Sequence, residues 1–92
     1  MRIVISHTNK QFRKLLAELP PEIQKQARQA YLTWLRDSWH PSLRFKQIHP
    51  TDPIYSVRIS LGWRTVGIRS GDIVIWYWIG SHADYDKLIA KF

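Results

Sequence analysis

The chain has 92 residues, no cysteine, and 14 Lys and Arg against seven Asp and Glu, which gives a formal charge of +7. The hydrophobic (45%) and aromatic (13%) fractions exclude a disordered chain, and the lack of cysteine excludes disulfides, a thiolate nucleophile and Cys-ligated zinc. A chain of this length buries roughly 60 to 65% of its unfolded surface. We therefore predict a single domain over residues 1–92.

The charge and the apolar runs indicate the partners and the compartment. An excess of cations on this scale favours encounter with nucleic acid or an acidic protein, although solubility alone is an alternative reason for it. The longest apolar run, IVIWYWIG, has eight residues, less than half of what a membrane-spanning helix needs. The basic start MRIVIS lacks the long apolar stretch of a signal peptide. We expect no membrane insertion and a cytoplasmic location.

The N-terminal half predicts a strand followed by a helical hairpin. RIVIS, residues 2–6, is typical of a strand, and Thr8 followed by Gln11 is a capping-box signature that opens a helix. Pro20 and Pro21 end this helix and start a second one, because proline suits a first helical turn. The predicted core residues are Phe12, Leu15, Leu16 and Leu19 on the first helix and Ile23, Ala27, Ala30, Tyr31, Trp34 and Leu35 on the second. The residues predicted to face water are Gln24, Lys25, Arg28, Gln29 and Arg36.

After the second helix the hydrophobic period changes from 3.6 to 2, which predicts strands. They are expected in SLRFKQI (42–48), IYSVRISL (54–61), GWRTVGI (62–68) and DIVIWYWI (72–79), and the last three should form an antiparallel meander. HADYDKLIAKF (82–92) predicts a short closing helix. The expected fold class is α+β: an N-terminal strand and a helical hairpin packed on a small, mainly antiparallel sheet, with a short C-terminal helix.

The predicted turn between the second and third of these strands places two arginines side by side. We predict a three-residue loop, residues 60–62, in which Gly62 takes the left-handed position of a type I turn plus bulge. This loop pairs Arg58 with Arg64 and Ile59 with Trp63. Like charges directly opposite each other cost a few tenths of a kcal/mol or more. The pair therefore calls for an anion, either an internal carboxylate or a bound phosphate, unless both side chains splay into solvent.

SHADYD, residues 81–86, combines a predicted helix start with candidate site residues. Ser81 as N-cap with Asp84 three residues on predicts a capping box, which makes Asp84 structural. His82, Tyr85 and Asp86 share one helix face, so Asp86 could orient the imidazole. Tyr85 could hydrogen-bond a ribose, stack on a base, or simply pack on the sheet. A lone cluster on one turn lacks further ligands, so we predict no metal site.

HPSLRFKQI, YSVRISLGWRTVGI and WIGSHADYDKLI, in that order behind a helical hairpin, resemble the RelE/ParE superfamily of toxins from bacterial type II toxin-antitoxin pairs, in particular its RelE-like messenger-RNA interferase branch. The resemblance covers essentially the whole chain. It implies a toxin that enters the ribosomal A site and cleaves messenger RNA by attack of the ribose 2'-OH on the adjacent phosphate, without a metal or other cofactor. It also implies a separate antitoxin, expected to be acidic, that wraps the toxin and blocks it. Whether the toxin forms homo-oligomers is left open.

This resemblance assigns roles to named side chains. Arginines suit phosphate oxygens and would stabilise the phosphorane, and His82 would transfer a proton as either acid or base. Lys46 could equally be a solvated lysine, and His49 a loop residue. The predicted catalytic residues are Arg58, Arg64, His82 and Tyr85. The predicted substrate-binding residues are Lys46, Arg44, His49 and Asp86.

Two other functions remain open at this point. ParE-type members of the superfamily resemble this chain in architecture but poison DNA gyrase by binding, and they generally lack the basic and proton-transfer residues. Retention of Arg58, Arg64, His82 and Tyr85 favours the nuclease. A degenerate toxin-like module that only binds a partner is the third hypothesis.

Overall fold

The computed structural model describes residues 5–92, and it confirms the predicted α+β class. The helices are α1 (Lys10–Ala17), α2 (Pro21–Arg36) and α3 (His82–Ile89). The strands are β1 (Ile5–Thr8), β2 (Lys46–Gln47), β3 (Ile54–Ser60), β4 (Trp63–Ser70) and β5 (Ile73–Ser81). A single turn of 3-10 helix, Pro41–Leu43, connects α2 to the sheet.

One sheet contains all five strands in the order β1-β5-β4-β3-β2. β3, β4 and β5 form the predicted antiparallel meander, and β2 adds antiparallel to β3. β1 pairs in parallel with β5, with Ile5 opposite Ile73. The predicted first strand, 2–6, is observed from Ile5 and continues to Thr8, while its residues 2–4 lie outside the described part of the chain.

Aromatic rings fill the core between the helical hairpin and one face of the sheet. The Trp34 side chain, 1% exposed, makes edge-to-face contacts with Phe45 and Trp76, with ring centroids 5.7 and 5.2 Å apart. Tyr31 and Leu35, both predicted to be core residues, are 38% and 53% exposed. That prediction is wrong because the buried stripe of α2, which includes Ala30 and Trp34, is narrower than the apolar stripe in the sequence.

Two polar residues of the helical hairpin make contacts that differ from the prediction. Asn9, not Thr8, caps α1: its side-chain oxygen accepts from the backbone N–H of Phe12 (2.8 Å), while Thr8 still belongs to β1. Gln24 is half-buried instead of facing water, because its amide donates to the Leu19 carbonyl (2.8 Å) just beyond α1. Carbonyls at a helix end need such donors.

The stretch predicted as a strand over 42–48 is mostly a turn. Proline starts the 3-10 turn Pro41–Leu43, and the left-handed backbone of Arg44 (φ 46°) redirects the chain, so only Lys46–Gln47 pairs with β3. Leu43 and Phe45 are nevertheless buried, at 2% and 6% exposed. The alternating pattern therefore predicted correctly which side chains are buried, although most of this backbone is not a strand.

The β3–β4 hairpin confirms the predicted pairing of Arg58 with Arg64. Its turn differs, because Ser60 rather than Ile59 lies opposite Trp63, and the register shifts between Arg58 and Ser60. The extra residue makes Ile59 the bulge, whereas the predicted loop placed the bulge at Gly62.

Left-handed backbone occurs at two places within residues 5–92, and Gly62 is not one of them. The prediction for Gly62 is wrong because the extra residue is Ile59 within β3, which leaves Leu61 and Gly62 as the turn. Gly71, in the SGD turn between β4 and β5, has a φ of 59°, a value that glycine adopts without steric cost.

Candidate active site

The end of the β3–β4 hairpin holds one arginine rigidly. Nη1 of Arg64 donates to the carbonyls of Ser60 (2.6 Å), Trp63 (2.9 Å) and Leu61 (3.3 Å), so the turn itself fixes the guanidinium. Fixed donors lose little freedom when an anion binds. Arg64 is thus preorganised beside Arg58.

The surroundings of Arg64 disfavour the positive charge of its guanidinium. Burial lowers the pKa of Arg64 from its usual value, and the charge of Arg58 lowers it further. Arg44 acts in the same direction and Asp86 in the opposite one, which places both charges within range of this guanidinium. An arginine stays protonated under these conditions, so an anion between the cations would relieve their repulsion.

Arg58 is half-buried and makes no ion pair or hydrogen bond with residues 5–92. Its predicted alternative, a pair with an internal carboxylate, is therefore wrong within the described residues. The ion pairs found there are His49 with Asp52 and His82 with Asp86. The Arg58 guanidinium is left for solvent or a bound anion.

The start of α3 is joined directly to the same hairpin. Ser81 caps the helix as predicted, with its hydroxyl oxygen accepting from the backbone N–H of Asp84 (3.2 Å). The backbone N–H of His82 donates to the Gly62 carbonyl at 2.8 Å. This bond places the first residue of α3 beside the turn that holds Arg64.

The His82 ring is oriented by the neighbouring carboxylate. Its Nδ1 lies 3.1 Å from Oδ2 of Asp86, one helical turn away, as the spacing predicts. Both side chains are about half exposed, at 47% and 58%. Because Nδ1 is engaged, Nε2 is the ring nitrogen left to exchange a proton with a ligand.

Tyr85 packs on the sheet, one of the alternatives open from sequence. Its side chain is 6% exposed and its hydroxyl donates to Oγ of Ser56 at 3.1 Å. Ser56 is itself only 2% exposed, because α3 covers this face of the sheet. The His82 and Tyr85 ring centroids are 6.0 Å apart. Tyr85 is thus buried beside the His82 ring and is not exposed to stack on a base.

Ser56 is the structurally important residue that the sequence pattern missed. A serine in an alternating strand normally faces solvent, so its position carries no signal of burial. The partner that buries it lies 29 residues further along the chain, at Tyr85.

The predicted substrate-binding cations flank the arginine pair. Lys46 lies opposite Ser56 in the β2–β3 ladder, so its side chain is on the same sheet face as that of Arg58, two residues further along β3. Lys46 and Arg44 are both exposed. The structure thus brings Lys46 to the face that carries the arginine pair, and Arg44 lies within electrostatic range of Arg64.

His49 is a loop residue, which was the predicted alternative to substrate binding. Its Nδ1 accepts from the backbone N–H groups of Thr51 (3.1 Å) and Asp52 (2.9 Å). The ring lies 5.0 Å from that of Phe92, and Asp52 is 3.7 Å from Nε2. These contacts are in the loop before β3, at the other end of that strand from the hairpin turn, so the structure does not bring His49 to the arginine pair.

Neither a cluster of metal-ligating side chains nor a membrane-spanning helix occurs within residues 5–92. Within residues 5–92, no three His, Cys, Asp or Glu side chains are placed so that they could hold a metal ion. Over the same range, no helix has the length and apolar composition needed to cross a membrane.

Comparison with known proteins gives a family and a fold. A sequence model of the ParE-like toxin domain matches residues 21–87. A chain of the RelB-RelE antitoxin-toxin complex from Methanococcus jannaschii is similar in structure, with a TM-score of 0.70, 20% identity, and coverage of 88% of this chain and 95% of that one. No curated protein matches the sequence.

Two other solved structures have the same arrangement. The toxin-antitoxin complex RelBE2 from Mycobacterium tuberculosis gives a TM-score of 0.63 at 18% identity, covering 91% of this chain and 97% of that chain. YafQ from Escherichia coli gives a TM-score of 0.61 at 13% identity, and the match covers 92% of this chain and 98% of that chain. At these identities the likeness shows a shared fold.

Proposed function

The chain belongs to the family of ParE-like toxin domains, and from this premise we propose that it is the toxin of a type II toxin-antitoxin pair that cleaves messenger RNA on the ribosome. One observation carries the nuclease part of the proposal: the hairpin end joins two register-matched arginines to a carboxylate-oriented histidine. A phosphate-binding pair beside a proton-transfer group is what 2'-OH attack on a phosphate needs.

Each side chain has a role in this proposal. Arg64 is held by the turn carbonyls, and Arg58 has no partner within residues 5–92. Both would bind the scissile phosphate and stabilise the crowded phosphorane. Nε2 of His82 would carry a proton to or from a reacting oxygen while Asp86 holds the ring. Lys46 and Arg44 would contact flanking phosphates, and Tyr85 would support His82 through packing.

The test is expression of the chain without its antitoxin. We expect growth arrest, and primer extension on cellular messages should show cuts that need translating ribosomes. Cleavage with purified ribosomes and messenger RNA should reproduce the cuts. Intact messages in both settings would refute the nuclease.

A second function has one observation in its favour, because the matching family is described as ParE-like. Superfamily members of that type poison DNA gyrase by binding. A supercoiling assay with purified gyrase separates the two proposals: inhibition together with intact messages would establish the gyrase inhibitor and leave the arginine pair as a binding surface.

The proposed partner is an acidic antitoxin, and the proposed compartment is the cytoplasm, where translating ribosomes are found. Two structures similar to this chain are toxin-antitoxin complexes. A chain of charge +7, in which Arg58 has no partner among the described residues, is best masked by carboxylates.

A further inference from the structure

The free edge of β3 opens into a pocket beside Arg58. β2 pairs only with Tyr55 and Ser56, so no strand within residues 5–92 adjoins the rest of β3 on that side. A pocket of about 360 Å³ lies there between β3, α2 and the 3-10 turn. It is at the small end of the ~300–1,000 Å³ range of ligand sites, which suits a single small ring system.

The pocket has an apolar floor and a polar rim. Ala30, Leu43 and Ile59 supply apolar atoms. The polar lining consists of Gln26, Gln29, Thr33, Ser42 and Ser60, together with Arg58. Among residues 5–92, none that lines the pocket is Asp or Glu, and Arg58 is the only one with a formal charge.

Two amides in this wall offer the chemistry that reads a base edge. A glutamine amide both donates and accepts, and pairs of this kind with adenine are the usual amide contacts to bases. Oε1 of Gln26 is buried and has no hydrogen-bond partner within the described residues, so an acceptor is available. Gln29 is exposed at the rim.

We propose that this pocket binds a nucleobase of the RNA next to the phosphate held by Arg58 and Arg64. The inference rests on the proposed nuclease function and adds a site for sequence preference. The base would lie on Ala30, Leu43 and Ile59 with its polar edge toward the glutamines, and Arg58, which lines the pocket and pairs with Arg64 in the hairpin, would connect base to phosphate. The competing occupant is a peptide strand of a partner added to the free edge of β3.

The first test is nuclear magnetic resonance of the ¹⁵N-labelled full chain titrated with the four nucleoside monophosphates and, separately, with ribose 5-phosphate. A base in the pocket should shift the side-chain amide signals of Gln26 and Gln29 with at least one nucleotide, while ribose 5-phosphate should affect Arg58 without them. Equal shifts with both ligands would reduce the site to an anion site and overturn the base pocket. Unshifted glutamine amides with every nucleotide would also overturn it, as would perturbation only by a partner peptide.

The second test asks whether the pocket sets cleavage preference. Gln29→Ala and Gln26→Leu should lower cleavage at the preferred base by roughly five- to tenfold, the scale of one lost hydrogen bond, and change other sites little. Gln11→Ala, an exposed glutamine of α1 outside the pocket, is the matched control and should keep the wild-type pattern. Uniform loss at all sites, or an unchanged pattern, would refute the proposal. A chain that shifts the glutamine signals but never cleaves RNA would refute the nuclease and leave the base pocket standing.

Discussion

Arg58 and Arg64 lie in register on adjacent strands, yet their side chains differ in what holds them. Three backbone carbonyls hold Arg64, whereas Arg58 has no partner within residues 5–92. A cation that the fold does not use is one that can be removed without unfolding the protein. In the proposed function, the same property makes Arg58 available to the phosphate of the RNA.

The first prediction concerns Arg58. Arg58→Ala should lower single-turnover cleavage on programmed ribosomes by about a hundredfold or more, the scale for losing one stabilising group at the transition state. The melting temperature should change little, because Arg58 makes no hydrogen bond or ion pair with residues 5–92. Arg36→Ala, an exposed arginine at the end of α2, is the matched control and should cleave like wild type. If Arg58→Ala unfolds, the arginine is structural and the site is wrongly placed.

His82 provides the second prediction. His82→Ala should lower cleavage by about a hundredfold or more through loss of proton transfer, with the fold intact because the ring is about half exposed. Asp86→Asn should lower cleavage less, since the ring stays and only its orientation weakens. Cleavage by His82→Ala at the wild-type rate would show that the residue merely starts a helix.

The third prediction separates packing from catalysis at Tyr85. Tyr85→Phe leaves the buried Ser56 hydroxyl without its partner and should cost about 1–3 kcal/mol of unfolding free energy. Cleavage by the folded variant should be largely retained. Adding Ser56→Ala should cost less than the sum of the single changes, which chemical denaturation of all three variants measures. Strict additivity would contradict the hydrogen bond.

At the scale of the element, α3 is the part of the fold that links site and scaffold. Its N-terminus is tied to the hairpin turn by the bond from His82 to Gly62, and its buried face rests on the sheet through Tyr85. Fraying of the first turn would therefore move His82 away from Arg64. The capping residues keep this turn in place.

The fourth prediction concerns this cap. Ser81→Ala removes the side chain that accepts from the Asp84 N–H and should cost about 0.5–2 kcal/mol of stability. Asp84→Ala keeps that bond and loses only a carboxylate near the positive helix end, about 0.3–1 kcal/mol. Thermal melts of both variants give the ranking. A larger loss for Asp84→Ala would show that the aspartate is the main cap.

At the scale of the whole molecule, charge is the dominant property. The chain has a formal charge of +7, and the face with Arg58 and Arg64 also carries Lys46 and is within electrostatic range of Arg44. Exposed charges are screened beyond about 10 Å at 0.1 M salt and beyond about 3 Å at 1 M. Binding that depends on these cations must therefore respond to ionic strength.

The fifth prediction is that an acidic protein encoded beside this chain co-purifies with it, and that their affinity falls as salt increases. Lys46→Gln should reduce the dependence of this affinity on salt, because one salt-sensitive charge contact with the antitoxin is lost. Lys10→Gln is the control, because this exposed residue starts α1 just after β1, at the opposite edge of the sheet from β2. It should leave the salt dependence unchanged if the antitoxin covers the arginine face. Failure of any neighbour-encoded protein to co-purify would count against a toxin-antitoxin pair.

The residues that the sequence predicted correctly are those whose geometry is set over a few positions. The Arg58–Arg64 pairing follows from one hairpin, and the His82–Asp86 contact follows from one helical turn. Arg44, in contrast, required the left-handed turn before β2, which nothing in SLRFKQI indicates. Gly62 was mistaken for a left-handed residue because the bulge in β3 takes up the extra residue of the turn.

By itself, the sequence of this protein determined the order of its elements and the two local halves of the site, because hydrophobic period, prolines at Pro20 and Pro21, and spacing along one helix or hairpin act over short distances. Only the tertiary structure decided that β1 joins β5 in parallel, that α3 buries Tyr85 on Ser56, and that the free edge of β3 forms a pocket with α2. Those outcomes depend on which sheet faces and edges distant segments cover. A single strand pattern cannot contain that information, since the covering partner lies tens of residues away.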